Sequence, residues 1–470
     1  MSRESALIKN TFVLSIGVFL PKLVGFITLP LLTAYLTTAE YGTYDLVTIL
    51  ATLLLPAATL QIQTAAFRFL IDNRNDENEV KKIISNIYAF IIPTSGVALL
   101  ILFFVLRNIS IYSRILMALY FAFDILENAA RQIVRGLSNN KDYSVSAIIS
   151  SLGKMIFALV FVFFLRKGLN GALICLVASS SLSFAYLCIK GQVLRYFEIR
   201  YVNKATLKEL IAYSWPMVPN SLSMWVMSVS DRLLVTMFLG IEVNAVYAVA
   251  NKIPSILALA RSTFTMAWQE NASISAKDED ADSYYSSMYD TVIGMMTGCL
   301  ALLIAITPIL FAVLIKGDYS AAYFQMPILF IATLLDCLSS FLGGIYVAYK
   351  KTKSVGITTM AAAACNLFIN FILIRRIGLY AASLSTLISY LLLVIFRMIN
   401  VSSFVKIRYN YKKMLCCAII IIIMCVICFQ QVFILNVINC ILGAVVFVSL
   451  NKNMILLILK KIGAKIDRRV

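Results

Sequence analysis

The chain has 470 residues, 61% hydrophobic and only 14% charged, with a mean hydropathy of +0.88. A soluble fold of this length cannot enclose so much apolar surface, because a single core stops growing at domain size. The formal charge is +18 with no histidine anywhere, which removes histidine-based acid–base catalysis and His–Cys metal sites.

Apolar stretches of about 20 residues, the length a bilayer demands, recur from end to end. They predict an all-α polytopic membrane protein with about fourteen transmembrane helices, at 8–36, 43–68, 83–106, 109–135, 143–165, 169–190, 210–239, 243–270, 284–315, 321–349, 354–374, 378–399, 413–430 and 432–450. The first stretch is too long for a cleaved signal, and many others follow it.

Taken in order, helix 1 holds Pro21, Lys22 and Pro30, then turns through AEYGTY (Ala39–Tyr44). In helix 4, Asp124, Glu127, Arg131 and Arg135 fall at i, i+3, i+7 and i+11, one polar stripe. In helix 5, Ser146, Ser150 and Lys154 share a face, so Lys154 is placed either for cargo or for Asp124 or Glu127. An internal ladder of ion pairs between helices is the plainer reading of the stripe. Helix 7 opens on Pro216 and Pro219, read as a hinge or as a simple helix start, and buries Asp231-Arg232. Adjacent helical residues point about 100° apart. One of that pair should therefore face a cavity and the other a neighbouring helix. Lys252 and Arg261 of helix 8 lie on opposite faces unless Pro254 distorts the helix.

Further on, Cys425 and Cys428 form a CxxC spacing inside an apolar helix, where cysteine is a small packing residue. The tail from Asn453 to Arg469 reads as an amphipathic surface helix or as a continuation of the last span. No GxxxxGK[ST] phosphate loop exists, and no connection is long enough to form a soluble domain.

Lys and Arg concentrate in alternate connections. One set includes Arg3, Lys9, Arg74, Lys81, Lys141, Lys190–Lys208, Lys277, Lys350–Lys353, Lys406–Lys413 and the tail, against only Arg107, Arg114, Arg166, Lys167, Lys316, Arg375 and Arg376 opposite. Positive residues stay on the cytoplasmic side, so both termini are expected there. The basic excess is thus a topology signal and an attraction to anionic lipid, and no nucleic-acid partner is expected.

The halves repeat. RKGLNGALICLVASS from Arg166 parallels RRIGLYAASLSTLIS from Arg375, aligning Gly168 with Gly378 and Ala172 with Ala382. LLTAYLTTAEYGTYDL from Leu31 parallels LLVTMFLGIEVNAVYAV from Leu233, aligning Glu40 with Glu242. The offset equals six helices, an even number, so the halves run parallel. The expected organisation is a six-helix lobe at 1–190, a cytoplasmic linker at 191–209, a second lobe at 210–400, and two added helices with a basic tail at 401–470.

The six-plus-six repeat, the AEYGTY turn and a proline-bent helix 7 running into DRLL, FLG and Tyr247 resemble the multidrug/oligosaccharidyl-lipid/polysaccharide superfamily. Within it the chain most resembles polysaccharide flippases of the Wzx type. The resemblance spans helices 1–12. It implies two lobes around a central cavity, working by alternating access without a cofactor in the inner (plasma) membrane. The implied cargo is an undecaprenyl-pyrophosphate-linked oligosaccharide of O-antigen or capsule type, with membrane lipids and polysaccharide polymerase machinery as further candidate partners.

The residues speak to the same point independently. Lys22, Lys154, Arg232, Lys252 and Arg261 fall deep in helices, where each cation facing lipid would cost about 2.5–3.5 kcal/mol. They must face protein, water or a ligand, and an anionic diphosphate suits them. Asp124, Glu127, Arg131 and Asp231 are expected as supporting ion pairs, and Pro21, Pro216 and Pro219 as hinges. A multidrug or cation exporter would want an acidic cavity instead. A membrane glycan polymerase or ligase would want a large extramembrane loop.

Orientation is directly testable. Reporter tags at residues 75, 140, 200 and 351 should read cytoplasmic, and tags at 40, 168, 241 and 376 should read outside. An inverted tag within the first twelve helices overturns the parallel repeat.

Overall fold

The computed structural model describes residues 3–466 apart from 108 and 277, with side chains from residue 16 onward except at 105, 263, 266, 267, 352, 453, 454 and 457–466. Lys277, Arg468 and Arg469 therefore lie outside the described residues, as do the side chains of Arg3 and Lys9. Two compact units, Met1–Trp225 and Val226–Val470, divide the chain inside one helix.

The first unit holds α1 (Arg3–Tyr35), α2 (Thr38–Thr59), α3 (Ile62–Asn73), α4 (Glu77–Val105), α5 (Ile111–Gly136), α6 (Asn140–Ala158), α7 (Gly168–Ile189), α8 (Lys204–Ser214) and the start of α9 (Met217–Leu239). The second continues α9 with α10 (Ile241–Ala250), α11 (Ser255–Ser275), α12 (Ala281–Leu314), α13 (Ser320–Ala348), α14 (Thr352–Ile377), α15 (Tyr380–Val401), α16 (Tyr411–Phe429) and α17 (Phe433–Ile466).

Among the described residues twelve helices are long and apolar enough to cross a membrane, or thirteen spans if the bent pair α10–α11 crosses as one. The fourteenth is α5, 26 residues long, which fails on polarity because it carries Arg114, Asp124, Glu127, Arg131 and Arg135. The expected count of about fourteen stands.

Three of the expected spans are broken. The helix expected at 43–68 starts earlier, at Thr38, and ends at Leu60 and Gln61, both left-handed at φ 48° and 59°. Local side chains take up part of the lost ladder: Thr64 Oγ1 donates to the Gln61 carbonyl at 2.7 Å and the Gln61 amide donates to Thr59 Oγ1 at 3.3 Å, while the Gln61 side chain reaches the distant Ser221 Oγ at 3.1 Å. The span expected at 210–239 breaks at Trp215-Pro216, between α8 and α9. The span expected at 243–270 breaks at Asn251–Pro254 with a bend of 51°. Helix α6 ends differently, in a π-helical turn at Leu159–Phe164.

Between helices in lipid there is little hydrophobic drive, so small residues govern close approach. In the first unit α1 packs on α6, α6 on α7, α7 on α5 and α5 on α3. Gly17 meets Ser144 so closely that a Cβ would lie 2.8 Å from the Ser144 Cα, and Ser146, Ser179, Ser180 and Ser183 are fully buried along the same seam. The second unit repeats the order: α9 on α14 through Met227, Ala362 and Ala363, α14 on α15, α15 on α13, and α13 on α11. Repeat-related helices thus pack alike, as the parallel repeat requires. The two added helices, α16 and α17, pack on α12, and α17 runs unbroken to Ile466, which favours continuation of the last span over a separate tail helix.

The AEYGTY segment is not a connecting turn: it forms the first turns of α2, and its start is built as a cap. Thr37 and Glu40 form a reciprocal capping box at the start of α2, and Glu40 Oε1 also accepts from the Leu169 amide at 2.9 Å, at the start of α7. Gly168, at φ +53°, makes this approach possible, since a Cβ there would collide with the Glu40 carboxylate. Its repeat partner Gly378 shares a positive φ of 59° but has open space around it. Alanine at 378 should therefore cost only about 1–2 kcal/mol of backbone strain. Alanine at 168 should cost more, because it also expels the cap. Thermal unfolding of the purified protein in detergent measures both, and equal losses would remove the cap from the account.

Candidate functional site

In the first unit the polar stripe of α5 divides among several partners. Glu127 is 2% exposed and is bonded by Arg131, one turn further on. Arg131 also reaches α6, donating from Nε to Ser146 Oγ at 3.2 Å and from Nη2 to the Ser146 carbonyl at 3.2 Å. The Ser183 hydroxyl of α7 closes on the same carbonyl at 2.9 Å. Arg135 leaves the stripe and stacks over Phe67 at 4.3 Å. Among the described contacts the stripe is an i, i+4 ion pair tied to α6 through neutral groups, with Lys154 of α6 in electrostatic reach of Asp124.

Asp124 is half-buried and accepts from Asn128 Nδ2 at 3.3 Å, with Lys154 and Arg131 within electrostatic reach. Lys154 is half-buried on α6 and makes no hydrogen bond or close ion pair among the described residues. Lys22 is exposed on α1.

The second unit holds the most elaborate arrangement. Asp231 of α9, 4% exposed, accepts from Tyr247 Oη of α10 at 3.1 Å, from Asn370 Nδ2 of α14 at 3.0 Å and from Thr386 Oγ1 of α15. Asn366, one turn from Asn370, extends the cluster by accepting from Ser230 Oγ at 3.4 Å. A carboxylate in lipid is costly, and here neutral donors from three other helices satisfy it. Asp231 thus bonds neighbouring helices, and Arg232 lies half-buried on the adjacent face.

Arg261 and Asp336 form an ion pair, with Nε to Oδ2 at 3.1 Å, and Arg261 Nη1 donates to Ser340 Oγ at 2.9 Å. Both side chains remain partly accessible, at 27% and 18%. Lys252 sits in the turn at the α10–α11 bend, so the condition on Pro254 is met: this is not one straight helix.

Arg397 of α15, four residues before the end of its helix, is not among the residues that the sequence analysis singles out. It is in fact 5% exposed and bonds only neutral oxygens: the Ser339 carbonyl at 2.6 Å, Thr359 Oγ1 at 3.0 Å and Thr358 Oγ1 at 3.4 Å. Gly343 leaves room for it, since a Cβ there would lie 3.0 Å from Nη1. Tyr247, Asn366, Asn370 and Thr386 were missed as well, although Asn366 and Asn370 stand at i, i+4 in an apolar helix and offered a signal.

Pro216 occupies the two-residue turn before α9, and Pro219 is its third residue, where no intrahelical amide donor is needed. Pro21 lies within α1. Cys425 and Cys428 are buried packing residues, and the Cys428 carbonyl accepts from Tyr323 Oη at 3.1 Å. Among the described residues no group of three His, Cys, Asp or Glu side chains gathers to hold a metal ion.

A family model described as "Polysaccharide biosynthesis protein" matches residues 7–269, more than half the chain. The chain belongs to this family. No curated protein matches it. Among solved structures, the lipid II flippase MurJ in an inward closed conformation is similar at TM-score 0.66 and 16% identity, covering 94% of this chain and 100% of that one. An inward-facing multidrug resistance MATE family transporter of the MOP superfamily is similar at TM-score 0.67 and 13% identity, over 84% and 98%. A MOP superfamily transporter from Pyrococcus furiosus, described as having a binding pocket of reversed polarity, gives TM-score 0.56 and 15% identity, over 85% and 96%. This polysaccharide biosynthesis family member thus has the fold of MOP superfamily transporters and flippases.

The Glu127–Arg131 pair gives a stability test. Arg131→Met leaves a buried carboxylate without its cation and should cost about 3–5 kcal/mol, whereas Glu127→Leu combined with Arg131→Met should recover most of it. Unfolding midpoints in detergent distinguish the outcomes; a double variant no better than the single one would show that Ser146, not Glu127, is the partner that matters.

Proposed function

We propose that this protein is a flippase that moves undecaprenyl-pyrophosphate-linked oligosaccharide repeat units, of O-antigen or capsule type, from the cytoplasmic to the outer leaflet by alternating access. The observation that carries the reading is membership of a polysaccharide biosynthesis family on a transporter fold that matches a lipid II flippase over nearly the whole chain. The glycan-lipid cargo, the inner (plasma) membrane, the cytoplasmic termini and the partnership with a polymerase belong to the proposal. Supporting it, the membrane-depth residues Lys22, Lys154, Arg232, Lys252 and Arg261 are all cations, the charge a diphosphate and acidic sugars call for.

Within this reading Lys154 and Arg261 are the cargo contacts of choice. Lys154 makes no close pairing of its own, and Arg261 keeps part of its guanidinium accessible beyond Asp336. The break at Trp215-Pro216 and Pro21 of α1 are proposed as the hinges on which the mouths open.

Deletion of the gene should leave lipid-linked oligosaccharide on the cytoplasmic leaflet, and restoring it should clear the store. Lys154→Ala should cut surface polysaccharide roughly tenfold at unchanged protein level, the factor that the loss of one charge-assisted hydrogen bond predicts. Arg261→Lys should retain part of the export, because an ammonium keeps the charge but not the fork. Normal polysaccharide in the deletion strain, with new sensitivity to cationic drugs, would favour an exporter instead.

A further inference from the structure

Helices α14 and α15 flank an open lateral groove of about 620 Å³ near one end of the second unit, a volume typical of a site for one small ligand. Its lining changes along the helices. Ser354 and Ser403 stand at one end, Thr358 and Asn400 one turn on, and Ala361 and Phe396, both exposed, a further turn on. Ile357 and Ile399 form the outer lips, 57% and 66% exposed. The Ser354 hydroxyl and the Asn400 carboxamide make no hydrogen bond among the described residues.

Charge is graded in the same direction. Lys353 is exposed one turn before Ile357 and on its face of α14. Lys351 is held at the same end, its Nζ 3.9 Å from the centre of the Phe404 ring. Behind the lining, Arg397 donates to Thr358 Oγ1, and every hydrogen bond of this buried guanidinium goes to a neutral oxygen. Cations beside one end, neutral donors next to them and an exposed apolar surface beyond together match an anionic amphiphile.

We propose that this groove binds one anionic phospholipid of the adjoining leaflet, with its phosphate between Ser354 and Asn400 and an acyl chain along Ile357, Phe396 and Ile399. The space suits one phosphate and part of one chain rather than a diphosphate with its glycan. Binding here bears on the rest of the unit, because α14 and α15 also supply the Asn370 and Thr386 bonds to Asp231. The assignment goes beyond the flippase reading and does not depend on it.

The test uses the full chain carrying Phe396→Trp, with Trp215, Trp225 and Trp268 of the otherwise unchanged protein as background. It is reconstituted in phosphatidylcholine vesicles that contain either brominated phosphatidylglycerol or brominated phosphatidylcholine at equal mole fraction. Quenching of the new tryptophan should favour phosphatidylglycerol by about fivefold, the order expected for one basic residue near an anionic headgroup. Ser354→Leu with Asn400→Leu fills the polar end of the groove with apolar groups on a lipid-facing surface and should abolish the preference while leaving the unfolding midpoint unchanged. Native mass spectrometry of the unsubstituted protein should retain one phosphatidylglycerol. Equal quenching by the two lipids, or a preference that survives the double variant, overturns the proposal. So does displacement of the quencher by undecaprenyl monophosphate but not by unbrominated phosphatidylglycerol, which would give the groove to a polyprenyl lipid.

Discussion

Inside a bilayer no water completes a hydrogen bond, so every polar group at depth must be satisfied by the protein or face something that is not lipid. The interior of both units follows from this. Asp231 lies in an apolar helix because Tyr247, Asn370 and Thr386 reach it from three others. Glu127 is buried because Arg131 spans it and continues to Ser146. The same requirement explains why breaks in the spans are accompanied by side chains such as Thr64 and Gln61, which take over the backbone's partners.

The parallel repeat shows which features are architectural and which are particular to one half. Both units use the same sequence of helix contacts and bring their seams together with small residues, buried serines in the first and Ala362, Ala363, Ser383 and Ser385 in the second. Their polar interiors differ. The first unit neutralises Glu127 with an arginine on the same helix, whereas the second holds Asp231 with neutral donors and pairs Asp336 with Arg261 across helices. The turns differ too: Glu40 bridges α2 and α7, but its repeat counterpart Glu242 is exposed. The two units share a packing order, and their charged residues are arranged differently on it.

How much of this was legible in the sequence follows from the range of each interaction. Helix existence rests on runs of about 20 apolar residues, a local property, and nearly every span was recognisable. Pro216 and Pro254 offered local signals at two of the breaks, although both spans read as continuous. The break at Leu60-Gln61 offered none, because neither residue is glycine or proline and its support includes Ser221, 160 positions away. Face periodicity put Asp124, Glu127 and Arg131 on one stripe, yet it could not show that Arg131 turns to a serine on α6. Arg397 carries no local signal of its own, because its neutral partners Ser339, Thr358 and Thr359 lie on two other helices, 38 to 58 positions away.

These pairings change what the formal charge means. Read from composition, the deep cations outnumber the deep carboxylates, and the interior looks uniformly positive. In the structure Glu127 is taken up by Arg131, and Asp336 lies against Arg261 with Arg397 within electrostatic reach, so part of that excess is already spoken for. Asp231, by contrast, draws its direct hydrogen bonds from neutral groups and neutralises no cation through them. The charge left to act on a ligand is therefore set less by how many lysines and arginines enter the membrane than by how each carboxylate is satisfied. A carboxylate held by amides and hydroxyls leaves the surrounding cations available, and one held by a guanidinium does not. On that criterion Lys154 keeps the most charge, because its neighbour Asp124 is bonded by the neutral Asn128, whereas Arg131 is taken up by Glu127 and Arg261 by Asp336.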